Sequence, residues 1–190
     1  MKKIGVAVQG PSDFVFWNRV LHKHIAGVSF SVRDLKSQQK LAAAAGALAE
    51  GFRNSGYDAL FLLLDADKSL CVADVRASLD EPTRNLVGEA RENRWVFLSV
   101  AFRELETWYC ADPEALSNAV EAPVPPEITG VTGGEAALSR FFREKLGRTL
   151  GLNKRDLAAR MSLHFEPARA RKNSASFHYF WSSLEAVLSR

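Results

Sequence analysis

The chain has 190 residues, 47% of them hydrophobic and 25% charged, so it can fold around a real core and is not a disordered chain. Its 25 basic and 22 acidic side chains give a formal net charge of +3, which permits a nucleic-acid partner without requiring one. The only cysteines, Cys71 and Cys110, belong to no CxxC or Cys/His cluster, which argues against a disulfide framework or a structural zinc site.

The first predicted element is a buried strand over residues 4–8, which ends in a turn at Gln9-Gly10-Pro11. Ser12 or Asp13 can cap the helix that follows. The apolar run is too short for the hydrophobic region of a signal peptide, and no apolar stretch approaches the roughly 20 residues of a membrane helix. We therefore expect a cytoplasmic protein with no membrane partner.

Strands and helices continue to alternate along the first two thirds of the chain. The pattern predicts strands over 28–32, 59–64 and 95–102, with helices over 37–54 and 70–92. Residues 59–64 show no polar alternation, which is typical of a central strand covered on both faces. The alternation predicts a mostly parallel, doubly wound α/β sheet flanked by helices, a Rossmann-like arrangement.

The last third of the chain changes in character. Residues 121–134 are rich in proline and glycine and read as a linker, and helices are predicted near 135–147, 153–163 and 175–188. We therefore divide the chain into an α/β core over 1–120 and a helical C-terminal region over 135–190 that packs on it. The candidates for contacts to a nucleic-acid backbone are Lys154, Arg169, Arg171 and Lys172. A basic run of this kind is also typical of a solvated helix face.

Acidic and amide side chains lie at the predicted ends of three strands: Gln9 with Asp13, Asp65 with Asp67, and Glu104 with Glu106. Ligands of parallel sheets collect at the carboxyl ends of the strands, and converging carboxylates suit Mg²⁺ or Mn²⁺. Asp65 and Asp67 are the predicted metal ligands, although one could instead cap the next helix while the other is solvated. At helical spacing Glu104 and Glu106 do not share a face, so we expect at most one of them in the site.

Three segments carry a family resemblance. Gln9-Gly10-Pro11-Ser12-Asp13 resembles the opening motif of Toprim-type proteins, and Leu64-Asp65-Ala66-Asp67 resembles their DxD strand. The segment from Glu104-Leu105-Glu106-Thr107-Trp108 to Ala111-Asp112-Pro113 is similar to the E-x-E-A-W-x-x-A-D-P segment of the DUF4276 family, and Lys154 with Ser176-Phe177 and Phe180 is similar to its tail.

The resemblance implies a Toprim-like core related to the nuclease domains of OLD-type and RloB-type proteins, which occur in phage-defence loci. In Toprim enzymes the opening Glu is the general acid or base, and the DxD pair binds Mg²⁺ for phosphodiester chemistry. Here the opening position is Gln9, which cannot carry a proton in that role. The resemblance therefore leaves Asp13, Glu104 and Glu106, beside Gln9, as the candidate catalytic residues.

Three functions are consistent with these patterns. The first is a Mg²⁺-dependent nuclease or phosphoryl-transfer protein that acts on nucleic acid, with a partner such as an ATPase encoded nearby. The second is a catalytically impaired binding or regulatory subunit, which Gln9 favours. The third is a phosphatase of the HAD type, whose nucleophile motif is also an apolar strand ending in DxD. In that class the motif usually opens the fold, whereas here it ends the third predicted strand.

Overall fold

The computed structural model describes residues 1–66, 72–78, 81, 84–85, 95–101, 104–129, 133–147 and 154–190. Asp67, one of the two predicted metal ligands, lies outside these residues. So does most of the predicted helix over 70–92, of which the described part includes one helix, Val72–Ser78.

The described strands form one parallel sheet. They are β1 (Lys2–Val8), β2 (Val28–Asp34), β3 (Ala59–Asp65) and β4 (Val96–Ala101), in the spatial order β2-β1-β3-β4. This confirms the predicted α/β fold class. The chain moves from β1 outward to β2 and then crosses to β3 on the other side of β1, so the topological switch point lies between β1 and β3. Ligands of open parallel sheets bind at such a point.

Helices flank the sheet and make up most of the last third. They are α1 (Pro11–His24), α2 (Gln38–Asn54), α3 (Val72–Ser78), α4 (Leu105–Cys110), α5 (Pro113–Val120), α6 (Gly134–Leu146), α7 (Lys154–His164), α8 (Pro167–Asn173) and α9 (Ala175–Leu188), with a short 3-10 turn at Pro126–Ile128. The predicted helices near 135–147, 153–163 and 175–188 correspond to α6, α7 and α9. The short helices α4, α5 and α8 have no counterpart among the predicted elements.

Each face of the sheet has its own hydrophobic core because successive strand residues point to opposite sides. Val6 and Phe61 belong to the larger core, which includes residues of α1 and of the C-terminal helices. Leu60 and Leu62 belong to the smaller core, which includes Phe52 of α2. The larger core thus joins the predicted α/β core and the C-terminal region in one packed layer.

An aromatic cluster forms the centre of the larger core. The ring of Trp17 in α1 lies 5.5 Å from that of Trp108 in α4 and 4.9 Å from that of Phe180 in α9. Trp108 and Phe180 stack at 5.7 Å, and the indole N–H of Trp108 donates to Ser176 Oγ at 2.9 Å. Each such ring pair contributes about 0.5–1.5 kcal/mol beyond its buried area. The cluster therefore fixes α4 and α9 against α1.

Asp112 supplies the polar anchor of the C-terminal region. Its side chain is fully buried and caps α5 by accepting from Ala115 N at 3.2 Å. It also accepts from Arg169 Nε at 2.7 Å, Arg169 Nη2 at 3.2 Å and Glu166 N at 2.8 Å. Because a buried carboxylate needs such partners, Asp112 ties α8 to the start of α5.

We expect Asp112→Ala to lower the free energy of unfolding by about 3 kcal/mol, because it leaves Arg169 without its buried partner and removes a helix cap. Glu114→Ala is the matched control, since Glu114 is exposed and lies 3.5 Å from the same guanidinium. Its expected cost is at most about 1 kcal/mol. Urea unfolding measures both, and equal costs would contradict the anchoring role of Asp112.

Candidate functional site

Asp13 stands at the start of α1, directly after the turn that follows β1. Gly10 is the N-cap and Pro11 the first helical residue, so Asp13 occupies the third helical position. Backbone hydrogen bonds from Gln9 and Gly10 reach its carboxylate. This is one half of a capping box, and an acid there also interacts favourably with the helix dipole.

Asp65 ends β3 at the same edge of the sheet. It lies beside Ala101, the last residue of β4, and faces the same side as Leu63, which is the side of α1. Asp13 and Asp65 line one cavity with the ring of Trp108. The cavity volume is about 10 Å³, at the lower limit for one water molecule. Asp13 and Asp65 therefore lie at one cavity near the β1/β3 switch point.

Glu106 lies in the first turn of α4 and is only 8% exposed. Its Oε1 is 3.3 Å from Lys154 Nζ, and that ammonium also donates to Glu135 Oε2 at 2.6 Å. Burial alone would lower the pKa of Lys154, but its bonds to Glu135 and Glu106 outweigh that effect and raise the pKa. Lys154 is therefore charged at neutral pH and links α7 to both glutamates.

Glu104 contacts a different part of the chain. Its Oε1 accepts from the backbone N–H of Glu135 at 2.7 Å, at the start of α6. Glu104 and Glu106 thus bind opposite ends of one short network, Glu104–Glu135–Lys154–Glu106. In this arrangement Glu106, and not Glu104, is among the charges that act on Asp13.

Negative charge accumulates between α1, α4 and β3. Burial, then the charge of Glu106, and then that of Asp34, raise the pKa of Asp13 to about 7 against the opposing backbone hydrogen bonds. Burial followed by Glu106, Asp13 and Asp65 also raises the pKa of the Tyr109 hydroxyl above its usual value. We call Asp13, Asp65 and Glu106 the acidic cluster.

Gln9 occupies the turn between β1 and α1. Its side-chain Nε2 is buried and has no hydrogen-bond partner among the described residues. A buried amide donor without a partner is uncommon in folded proteins. Gln9 therefore places an unused hydrogen-bond donor at the carboxyl end of β1, beside the helix turn that carries Asp13.

A hard cation such as Mg²⁺ suits oxygen ligands, and the acidic cluster consists of carboxylates. Burial is the largest cause of the raised pKa of Asp13, and a cation would offset the next largest, which is the charge of Glu106. Within the described ranges, however, no three His, Cys, Asp or Glu side chains are grouped closely enough to hold a metal ion. Since Asp67 lies outside those ranges, the metal pair Asp65 and Asp67 stays a prediction.

The predicted nucleic-acid contacts lie in two helices, α7 and α8. Asp112 binds Arg169, and Arg171 Nη1 donates to Glu185 Oε1 at 2.8 Å. Lys154 lies in the network with Glu106 described above, and Lys172 is exposed at the end of α8. The role of these four residues in binding nucleic acid stays a prediction.

Sequence reasoning missed Tyr109 and Glu135. Glu135 is an acid in the first turn of a predicted helix, a position that normally indicates capping. Tyr109 lies in the DUF4276-like segment between two motif positions, so no pattern distinguished it. Glu135 gains its partners Glu104 and Lys154 only through the packing of α6 and α7, and Tyr109 gains its neighbour Phe16 only because α1 packs against α4.

Fold and site together define a parallel-sheet α/β protein with an acidic cluster at its topological switch point. The family model described as "Domain of unknown function (DUF4276)" matches residues 8–185. The chain therefore belongs to the DUF4276 family. No curated protein and no solved structure matches it. Among the described residues, no helix combines the length and the apolar character needed to cross a membrane.

The raised pKa of Asp13 predicts that the stability of the folded protein depends on pH. The folded protein holds this proton up to about pH 7, whereas the unfolded chain releases it near the ordinary value of 3.8. Folding stability attributable to Asp13 therefore falls as pH rises from about 4 to 7, by on the order of 1 kcal/mol per pH unit. Urea unfolding at several pH values measures this effect. Between about pH 4 and 7, the free energy of unfolding of Asp13→Asn should rise relative to that of the wild type.

Asp156→Asn is the matched control for this measurement, because Asp156 is an exposed acid in the first turn of α7. The difference in unfolding free energy between Asp156→Asn and the wild type should not change with pH in the same way. A pH-independent difference between Asp13→Asn and the wild type would show that Asp13 titrates as an ordinary surface acid.

Gly134 is required where α6 approaches the site. A Cβ at this position would collide with the backbone of Glu106 and Thr107. Gly134 N also donates to Thr107 Oγ1 at 3.3 Å. We expect Gly134→Ala to lower the free energy of unfolding by about 1–3 kcal/mol, since the clash is with backbone.

Gly46→Ala provides the control, because Gly46 lies within α2 and a Cβ there meets nothing within 4 Å. This change should raise stability by about 0.5–1 kcal/mol through helix propensity. Thermal unfolding compares the two variants, and a stabilised Gly134→Ala would disprove the close approach of α6 to α4.

Proposed function

We propose that this protein is a Toprim-like, divalent-metal-dependent phosphodiesterase or phosphoryl-transfer protein. The observation that carries the proposal is the convergence of Asp13, Asp65 and Glu106 at the carboxyl edge of the sheet, at the β1/β3 switch point. In this proposal Asp65 and Asp67 hold Mg²⁺ or Mn²⁺. When bound, the ion supplies charge stabilisation for a phosphate and acidifies a water molecule.

Asp13 takes the acid or base role that Gln9 cannot perform. A pKa of about 7 leaves Asp13 protonated in part of the population at neutral pH, which suits a general acid or base. Gln9 Nε2, which has no hydrogen-bond partner in the part of the chain that the structure describes, offers a donor to a phosphate oxygen. Lys154 keeps Glu106 paired and limits the negative charge that an incoming phosphate meets.

We further propose that the substrate is nucleic acid. The mildly basic chain and the exposed Lys172 support this choice. The family resemblance also suggests a cellular setting for the activity. In that setting the protein acts in the cytoplasm, within a phage-defence system, together with a partner such as an ATPase encoded nearby.

A second candidate is a binding or regulatory subunit of the same fold that does not cleave. Two observations favour it. Gln9 replaces the acid that opens the Toprim motif, and the Lys154 ammonium already neutralises part of the acidic site. Such a subunit would bind a phosphate-containing ligand without catalysing its hydrolysis.

Cleavage assays distinguish the two candidates. Purified protein is incubated with supercoiled plasmid, linear duplex and single-stranded DNA and RNA, in EDTA, Mg²⁺ or Mn²⁺. We expect metal-dependent cleavage that Asp65→Asn with Asp67→Asn reduces at least about 100-fold, because these changes remove the metal ligands. Asp58→Asn is the matched control, since Asp58 is an acid at the opposite end of β3, where it binds Lys3 N at 2.7 Å.

Each other outcome is informative. A cation that stabilises the wild type but not the double variant, without cleavage of any substrate, supports the binding subunit. Cleavage that survives in the double variant assigns the activity to a contaminant or to another site. Absence of both cleavage and cation-dependent stabilisation overturns the proposed function.

A further inference from the structure

Tyr109 carries a buried hydroxyl that makes no hydrogen bond to the described residues. The residue is 1% exposed, and its Oη has no hydrogen-bond partner within the described part of the chain. Burying such a group without a partner is unfavourable, and native structures satisfy nearly all of them. An unsatisfied hydroxyl in a site therefore points to a partner that arrives with the ligand.

The position of Tyr109 is set by two facing helices. Tyr109 follows Glu106 by three residues in α4, and Phe16 follows Asp13 by three residues in α1, so each pair shares one side of its helix. The rings of Tyr109 and Phe16 are 4.9 Å apart. This contact brings the two helices together, and the charges of Glu106, Asp13 and Asp65 all act on the Tyr109 hydroxyl.

The chemistry of the hydroxyl complements that of the acidic cluster. Ionised carboxylates only accept hydrogen bonds, so they cannot bind the oxygen of a phosphate or orient a water by its lone pairs. A phenol beside negative charge stays protonated and is a donor at neutral pH. Tyr109 Oη and Gln9 Nε2, neither of which has a partner in the described ranges, add neutral donors to a site rich in carboxylates.

We propose that the Tyr109 hydroxyl is a positioning group that donates a hydrogen bond to the ligand oxygen, from water or phosphate, held in the acidic cluster. This inference rests on the proposed function, because it assumes that the cluster binds a divalent cation with its oxygen ligands. Tyr109 acts here by holding an oxygen atom in place, and no proton leaves it.

Ser99 offers a matched control within the same protein. Its Oγ is also buried and unpartnered, and the residue is 1% exposed. It lies in the interior of β4 beside Leu63, two residues before the edge formed by Asp65 and Ala101. Removing this hydroxyl tests the effect of a buried unsatisfied group that lies away from the strand ends.

The experiment compares Tyr109→Phe, which keeps the ring against Phe16, with Ser99→Ala and the wild type. Thermal unfolding and calorimetry are run in EDTA, with Mg²⁺ or Mn²⁺ alone, and with the cation plus inorganic phosphate. In EDTA both variants should be at least as stable as the wild type, because each loses an unsatisfied buried group. With ligand, only Tyr109→Phe should bind at least about tenfold more weakly, since the lost bond is to a charged or polarised oxygen.

The ligand conditions distinguish the two possible sources of the oxygen that Tyr109 binds. Weakened binding of the cation alone identifies a cation-bound water, and weakening only in the presence of phosphate identifies a phosphate oxygen. Unchanged affinities for Tyr109→Phe overturn the inference and leave the proposed function intact. A Tyr109→Phe variant that is less stable than the wild type in EDTA also overturns it, because the hydroxyl then has a partner in the unliganded protein. A wild type that responds to no cation overturns the proposed function and this inference with it.

Discussion

The contact between Trp17, Trp108 and Phe180 is the constraint on which the rest of this structure depends. It joins α1, α4 and α9, three helices far apart in the sequence, over one face of the sheet. Asp13 lies one helical turn before Trp17, and Glu106 lies two residues before Trp108. The distance between these carboxylates is therefore set by aromatic packing, because rings buried at interior density cannot shift without leaving voids. Asp112 and Arg169 complete this arrangement by attaching α8 beneath α5.

The acidic cluster concentrates charge that folding alone does not require. A proton on Asp13 up to about pH 7 and a lysine held between Glu106 and Glu135 both reduce repulsion in the unliganded protein. Among the described residues, the buried Gln9 Nε2 and Tyr109 Oη also lack hydrogen-bond partners. Such conflicts with local stability are common where a protein binds a ligand, because the ligand supplies the missing partners. Arg169 and Arg171, in contrast, form ion pairs that hold helices together.

The predictability of the fold follows from periodicity. Continuous apolar runs at residues 4–8 and 59–64 predict buried parallel strands, and the structure confirms them as β1 and β3. The short helices α4, α5 and α8 escaped prediction because none of them is long enough to show a helical repeat. Glu104 and Glu106 were indistinguishable in sequence, since only α6 and α7 decide their different partners. Tyr109 was missed because a buried hydroxyl without a partner is a property of the packing around it.

The amino-acid sequence by itself determined the α/β class, the order of strands and helices, and the acids at strand ends. These features depend on local periodicity and on the rule that parallel strands end at one edge. Tertiary structure alone decided that the charge of Glu106 acts on Asp13, that Asp65 lines one cavity with Asp13, and that Lys154 contacts Glu106. It also decided that Asp112 is a buried anchor. These outcomes depend on contacts between residues distant in sequence, whose charges become strongly coupled only once burial removes them from water.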